Sequence, residues 1–205
     1  MKPLFRELVR AGRLAESPVM RPILDRVGLP EPRLGHWGVD WVEPDTHGAL
    51  YRPAAEGGRV AAIFPVDYEH GLVDLCAVSL ETRAIRVRHG LCELLGHDLL
   101  EYACRVSRPL TVFADPIEWF LAEKRGVVVL NWAYGVCDLL HVPALACADE
   151  ALALKLHRAL SCEGFETPPP IFVSSRQQRE TPDVRTIHPA AARLRAIRRS
   201  ARRVA

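Results

Sequence analysis

This chain of 205 residues lacks the features that define several common classes of protein. No apolar run approaches the ~20 residues that a membrane-spanning helix needs. The first residues, MKPLFRELVRAGRLAESP, mix arginine with glutamate and lack the apolar centre of a signal peptide. We therefore expect a cytoplasmic protein with no membrane partner.

Closely paired cysteines are also missing. No C-x-x-C pair occurs, whereas a structural zinc site usually takes closely spaced ligands, so we expect none. Most of the cysteines lie in apolar stretches such as VDLCAV and ALACAD, where the thiol behaves as a small hydrophobic group. We predict buried free thiols rather than disulfides for the six cysteines: Cys76, Cys92, Cys104, Cys137, Cys147 and Cys162.

The familiar catalytic motifs do not occur either. The chain contains no G-x-x-x-x-G-K-[ST], no G-x-G-x-x-G, no G-x-S-x-G and no H-E-x-x-H. These absences argue against a P-loop nucleotide hydrolase, a Rossmann-type dehydrogenase, an α/β-hydrolase and a zincin protease. The eight histidines show no metal-ligand spacing.

Lysine is scarce, with three residues against 24 arginines, but the position of the charge is more informative than this preference. Residues 174–205 hold nine arginines against Glu180 and Asp183, a net charge of +7. The total of +2 therefore leaves the preceding residues at −5. An acidic body with a basic end often marks contact with nucleic acid or with an acidic partner.

The last residues, PAAARLRAIRRSARRVA, carry most of that basic charge. We interpret residues 174–205 as an Arg-rich tail that contacts nucleic-acid phosphates, or else docks on an acidic protein surface. A solvated basic end with no partner is the alternative. The candidate phosphate contacts are Arg193, Arg195, Arg198, Arg199, Arg202 and Arg203.

Residues 1–34 show helical spacing of apolar residues, and a second helix should end near Gly28. Residues 35–58 are rich in Gly, Pro and Asp, so we expect irregular structure there. Trp37 and Trp41 should pack at the entrance of the domain, although an aromatic platform for stacking bases is the alternative.

Residues 35–108 form a β-rich region in this interpretation. RVAAIFPV and LVDLCAVSL are apolar runs on either side of the turn DYEHG, which predicts a hairpin. Its Asp67, Glu69 and His70 are better explained as turn residues than as ligands. AIRVRHG alternates as a half-exposed third strand does.

From Pro109 the pattern changes to apolar strands that alternate with helices. The strands LTVFA, GVVVLNW and ALACA are each followed by a helical stretch, and PPPIFVSS adds a last strand. Such alternation predicts a parallel sheet flanked by helices, which places Asp115, Asn131 and Asp149 at one edge. The predicted fold class is α/β, with this sheet at about residues 109–173 after a smaller α+β region.

The order of these segments resembles the Toprim (topoisomerase–primase) domain of phage- and plasmid-type DNA primases. In that family a strand ends in Glu-Gly followed by Ile-Glu-Thr-Ala-Leu-Ala, where this chain has DPIEWFLA. A later strand ends in Asp-x-Asp-x-x-Gly, where this chain has DEALA within CADEALALKLHRAL. Upstream, AAIFPVDYEHGLVDLCAVSL and RPILDRVGLPEPRLGHW are similar to the strand, turn and helix segments of such primases. The resemblance covers residues 18–173.

The resemblance implies a Toprim-like sheet and a site whose first Glu acts as general acid/base while the Asp-x-Asp pair holds Mg²⁺. Mg²⁺ requires hard oxygen ligands in near-octahedral geometry. Here Asp115 replaces the Glu, and the following position is Pro116 instead of Gly. Asp149 matches the first metal ligand, but Ala151 has no oxygen at the second.

Two interpretations of the acids remain open. A rebuilt Mg²⁺ site could use Asp115 and Glu118 for catalysis with Asp149 or Glu150 as metal ligands, although adjacent helical side chains diverge by about 100°. Alternatively, Asp115 caps a helix with Pro116 at its first position and Glu118 completes a capping box. Asp149 would cap the last helix in the same way. Capping alone explains the acids, and we favour it.

We therefore expect a degenerate Toprim-like protein related to the primases of phages or mobile elements. It would be a nucleic-acid-associated accessory protein without catalysis or with weak activity, and without a required cofactor. Two alternatives stand beside it. One is an active Mg²⁺-dependent phosphoryl-transfer enzyme, primase-like or nuclease-like. The other is a structural protein that binds an acidic partner through its basic tail.

Overall fold

The computed structural model describes residues 3–32, 35–46, 48–55, 57–68, 71–162 and 168–173. Within these ranges the chain forms six α-helices and ten β-strands. The helices are α1 (Pro3–Ala15), α2 (Arg21–Val27), α3 (Asp98–Val106), α4 (Pro116–Leu121), α5 (Gly135–Asp138) and α6 (Glu150–Cys162). The strands are β1 (Gly38–Pro44), β2 (Tyr51–Pro53), β3 (Arg59–Tyr68), β4 (Gly71–Ser79), β5 (Ile85–Val87), β6 (Leu94–Leu95), β7 (Leu110–Phe113), β8 (Val127–Val129), β9 (Leu145–Cys147) and β10 (Ile171–Val173).

The first sheet is antiparallel and has the order β2-β1-β3-β4-β5. Its centre is the long hairpin of β3 and β4, which the two apolar runs predicted. Both faces of this hairpin are buried: Ala61 and Ile63 pack against α1, while Ala62 and Phe64 face the opposite way. Burial on both faces explains why the sequence shows a continuous apolar run rather than a strict alternation.

Helix α1 lies against the curled first sheet. Leu50, next to β2, bridges Val87 of β5, so the two ends of the sheet approach each other. Glu7 of α1 spans the same gap, because it accepts hydrogen bonds from Tyr51 Oη and Arg88 Nε, each at 3.1 Å. One acid of the helix therefore holds both ends of the sheet.

The expectation of irregular structure at residues 35–58 was wrong for much of this segment. Strands β1 and β2 form there, with β1 pairing antiparallel to β3 from Gly38 opposite Ile63. Gly38 also allows α1 to approach, since a Cβ atom at that position would lie 2.3 Å from the carbonyl carbon of Ala11. Glycine, which argued against a strand in the sequence, is needed for helix packing. Trp37 is buried, as expected for a packing residue.

The second sheet has the order β10-β9-β7-β8-β6. Strands β7, β8, β9 and β10 are parallel, as the alternation of strands and helices predicted, and β6 pairs antiparallel to β8. Helices α3, α5 and α6 cover one face of this sheet. The other face packs with α4 against the first sheet, so the protein is mixed α/β with two sheets.

Local signals for the helix ends are confirmed at α2. Gly28 follows this helix with a φ of 71°, in the left-handed region that glycine adopts without strain.

No helix in the described part of the chain is both long enough and apolar enough to span a membrane. Five cysteines form no disulfide: Cys76 and Cys147 are buried, Cys92 and Cys137 are half-buried, and Cys104 is exposed.

Candidate functional site at the carboxyl edge of the parallel strands

Three polar residues follow the parallel strands at one edge of the second sheet. Asp115 comes after β7, Asn131 after β8 and Asp149 after β9. The pairing places Val112 of β7 opposite Val127 of β8 and Cys147 of β9, so the carboxyl ends of these strands are aligned. This is the edge where α/β sheets place their binding sites.

Asp115 is buried, with 6% of its surface exposed, and both of its oxygens have partners. Oδ1 accepts hydrogen bonds from the backbone N–H groups of Ile117 at 2.8 Å and Glu118 at 3.0 Å. These are the first free donors of α4, so Asp115 is its N-cap, and Pro116 occupies the first helical position. The capping interpretation of Asp115 therefore has direct geometric support.

The second oxygen of Asp115 forms an ion pair with Arg83. Oδ2 accepts a hydrogen bond from Arg83 Nε at 2.9 Å, and Arg83 Nη2 lies 2.7 Å from the same oxygen. Arg83 lies in the turn between β4 and β5, where its N–H donates to Ser79 O at 3.0 Å and its φ is 61°. The pair thus links the first sheet to the carboxyl edge of the second. Arg83 was not predicted from the sequence, because nothing in its neighbourhood signals a partner 32 residues away.

Glu118 lies in the first turn of α4 and is half-buried. A negative charge there is favourable, because the N-terminal end of a helix carries a partial positive charge. The structure therefore places both residues of the predicted catalytic pair at one helix end. Asp115 binds the helix backbone directly.

The predicted metal ligands Asp149 and Glu150 are exposed at the start of α6. Asp149 Oδ1 accepts a hydrogen bond from Leu152 N at 2.8 Å, which is the geometry of an N-cap. Burial, together with the charge of Asp149, raises the pKa of the Cys147 thiol to about 12. Ala151 is exposed in the position where the Toprim pattern has its second metal ligand.

The residues at this edge do not fit the Mg²⁺ site that the Toprim resemblance implies. Among the described residues there is no group of three or more His, Cys, Asp or Glu side chains that could hold a metal ion. Asp115 already accepts three hydrogen bonds, from Ile117, Glu118 and Arg83, and it is ion-paired with Arg83. Mg²⁺ needs free oxygen ligands, and Ala151 supplies none.

A second buried carboxylate, on Asp74 in β4, was not singled out from the sequence. Asp74 is fully buried and accepts backbone hydrogen bonds from Leu75 at 2.8 Å, His89 at 3.0 Å and Leu91 at 3.0 Å. It holds the segment that leads from β5 to β6, and hence from one sheet to the other. An acid inside the apolar run LVDLCAVSL is the signal that could have identified it.

Other predicted residues lie outside the described part of the chain. These are Glu69 and His70 of the β3–β4 turn and the six arginines proposed for nucleic-acid binding: Arg193, Arg195, Arg198, Arg199, Arg202 and Arg203. The Asp67 of the same turn lies at the end of β3 and is exposed.

Comparison of the chain with protein-family models, with curated proteins and with solved structures found no match.

Proposed function

We propose that this protein is a degenerate, primase-related Toprim-like protein that associates with nucleic acid as an accessory factor of a phage or mobile element. In this proposal the acids at the carboxyl edge stabilise the fold and do not carry out phosphoryl transfer. The observation that carries it is the geometry of Asp115, which stands where the Toprim pattern has its general acid/base.

A general acid/base must be able to exchange a proton with the substrate. Asp115 is buried, and its two oxygens accept hydrogen bonds from two backbone N–H groups and a guanidinium. Both oxygens are therefore already bound by donors of the protein itself, which leaves neither of them available to a substrate. A shorter side chain followed by Pro116 suits this capping role and not a catalytic one.

The metal-binding half of the Toprim pattern supports the same proposal. Its first acid, Asp149, caps α6, and its second position is Ala151. One or two carboxylates with phosphate oxygens are the usual protein share of a Mg²⁺ site. Here Asp149 already binds the α6 backbone and Ala151 offers no oxygen, so the paired carboxylates of the Toprim pattern are missing.

The nucleic-acid part of the proposal rests on the charge of residues 174–205, which is +7 against −5 for the rest of the chain. Each arginine that neutralises a phosphate releases counterions, so binding should weaken with salt. With about four to six such contacts, log K should fall against log salt with a slope of roughly −3 to −5. Little sequence preference is expected, because phosphate contacts do not read bases.

The test is binding of the full chain to DNA across a salt series. The tail variant changes Arg198, Arg199, Arg202 and Arg203 to Gln, and we expect a clearly shallower slope and weaker binding. The matched control alters the net charge equally by changing to Gln four exposed arginines from the part of the chain that the structure describes: Arg6, Arg13, Arg52 and Arg59. An equal loss of DNA affinity in both variants would show that the tail has no special role in binding. No binding of the wild type at low salt would leave an acidic protein partner as the better proposal.

The alternative of an active Mg²⁺-dependent enzyme has its own test. A ligand raises the melting temperature only if it binds the folded state. We expect the melting temperature to be the same with and without millimolar Mg²⁺. A Mg²⁺-dependent rise that disappears in Asp149→Asn would refute the capping proposal and favour the enzyme.

A further inference from the structure

The turn between β8 and α5 is held firmly at the carboxyl edge. Asn131 Oδ1 accepts a hydrogen bond from Ala133 N at 3.0 Å, and Asn131 O accepts one from Gly135 N at 2.9 Å. Gly135 is pressed against the neighbouring segment, since a Cβ atom there would lie 2.8 Å from Glu93 O. Residues 131–135 therefore present their side chains from a rigid backbone.

This turn carries two aromatic side chains, one exposed to solvent and one with a cation over its ring. Tyr134 is 66% exposed, whereas Trp132 is half-buried against the core of the second sheet. The ammonium of Lys155, on α6, lies 3.5 Å from the centroid of the Trp132 ring. Partial desolvation lowers the pKa of Lys155 below its usual value of 10.5. Arg158 is exposed three residues further along α6, on the same side of the helix as Lys155.

We propose that this turn is a stacking platform for single-stranded nucleic acid, in which Tyr134 stacks on a base while Lys155 and Arg158 contact the adjoining phosphates. We call Trp132, Tyr134, Lys155 and Arg158 the aromatic platform. The inference rests on the proposed function and adds a contact on the body of the protein to the contact through the tail. The chemistry is that of general single-strand binding, which combines exposed aromatic rings with cations.

The charges around the platform favour single strands over duplex. Glu93 is exposed beside the turn, and Glu150 begins α6, although it lies about 140° around the helix from Lys155. Lys155 and Arg158 against Glu93 leave a local charge of only about +1, so phosphate attraction alone cannot dominate here. Stacking has to supply the affinity, and stacking on Tyr134 requires a base that is not already paired in a duplex.

The test uses the full chain and three labelled probes: a 20-nucleotide oligothymidylate, the matching oligouridylate and a 20-base-pair duplex. The variants are Tyr134→Ala, Tyr134→Phe and Lys155→Gln. The control is Tyr102→Ala on α3, because Tyr102 is 49% exposed and also has a cation, the guanidinium of Arg105, 5.9 Å from its ring centroid. Circular dichroism checks that each variant folds.

We expect Tyr134→Ala to weaken binding of both single strands by about fivefold or more at every salt concentration, with the salt slope unchanged. Tyr134→Phe should retain the wild-type affinity, since it keeps the ring. Lys155→Gln should reduce the slope by roughly 0.7, the value for one phosphate contact to a single strand. Duplex binding and Tyr102→Ala should show no such change.

The platform is refuted if Tyr134→Ala binds single strands as tightly as the wild type, or loses duplex binding equally. That result does not contradict the proposed function if the wild type still binds nucleic acid through its tail. A wild-type chain that binds none of the three probes would instead refute the proposed function, and the platform with it.

Discussion

Substitution of Asp115 separates a helix cap from an ion pair, because its two oxygens serve different partners. Oδ1 binds the backbone of α4, and Oδ2 binds Arg83. Asp115→Asn keeps one oxygen for the cap, and Asn caps nearly as well as Asp. The ion pair is lost, however, and an amide N–H₂ group would face the guanidinium. Asp115→Ala removes both interactions.

The magnitudes follow from the burial of each partner. The Asp115 side chain is only 8% exposed, whereas that of Arg83 is 38% exposed, so the pair lies between a surface pair of 0–1 kcal/mol and a buried one of about 3–5. We expect Asp115→Asn to lower the free energy of unfolding by about 1–2 kcal/mol. Asp115→Ala should lose the cap as well, for a total of about 2–4 kcal/mol.

Chemical denaturation, monitored by tryptophan fluorescence and circular dichroism, measures these differences in the free energy of unfolding. A double-mutant cycle of Asp115→Asn with Arg83→Gln isolates the pair, and we expect a coupling of about 1 kcal/mol. Asp149, the exposed cap of α6, is the matched control: Asn should cost little there and Ala about 1 kcal/mol. A coupling near zero, with Asp115→Asn as stable as the wild type, would refute the structural role assigned to Asp115.

Three further substitutions test other parts of the fold. Gly38→Ala should cost about 3 kcal/mol or more of stability, because the added Cβ would lie 2.3 Å from a backbone atom of Ala11, which cannot rotate away. Glu123→Gly should stabilise the protein by about 0.5–1 kcal/mol, since Glu123 has a φ of 57°. Burial raises the pKa of Asp40 above its usual 3.8, although Arg10 opposes this, so Asp40 binds a proton more readily in the folded state than in the unfolded state. The stability that Asp40 contributes is therefore fully present below pH 3.8 and is lost as the pH rises through the folded-state pKa. Asp40→Asn should then raise the denaturation midpoint more at pH 7 than at pH 4.

Chemical denaturation tests each of these three substitutions, against a control variant or against an outcome that would contradict the prediction. Gly48→Ala adds a Cβ in open space at a φ of 74°, so it should cost much less than Gly38→Ala. Glu101→Gly, inside α3, should destabilise by about 1 kcal/mol, the opposite sign to Glu123→Gly. A difference between Asp40→Asn and wild type that is independent of pH would contradict the burial argument.

Much of the second sheet could be predicted from the sequence because its signals are local. An apolar run of three to five residues, followed by an acid that can cap a helix, defines the β-α units that begin with β7 and β9, at Asp115 and Asp149. The β3–β4 hairpin was equally clear, since a turn separates two apolar runs. Parallel pairing then brings the strand ends to one edge, so the position of the candidate site followed as well.

Only the tertiary structure decided what the acids at that edge do. The cap at Asp115 was visible in the sequence, but its ion pair with Arg83 was not, because it depends on how the first sheet packs on the second. Strand β1 was missed for a similar reason: Gly38 and Asp40 do not favour strands locally, and β1 forms because β3 offers a partner and α1 needs the space that Gly38 leaves. Local propensity is a property of a few consecutive residues, whereas hydrogen bonds and ion pairs between distant segments form only where the chain as a whole brings them together.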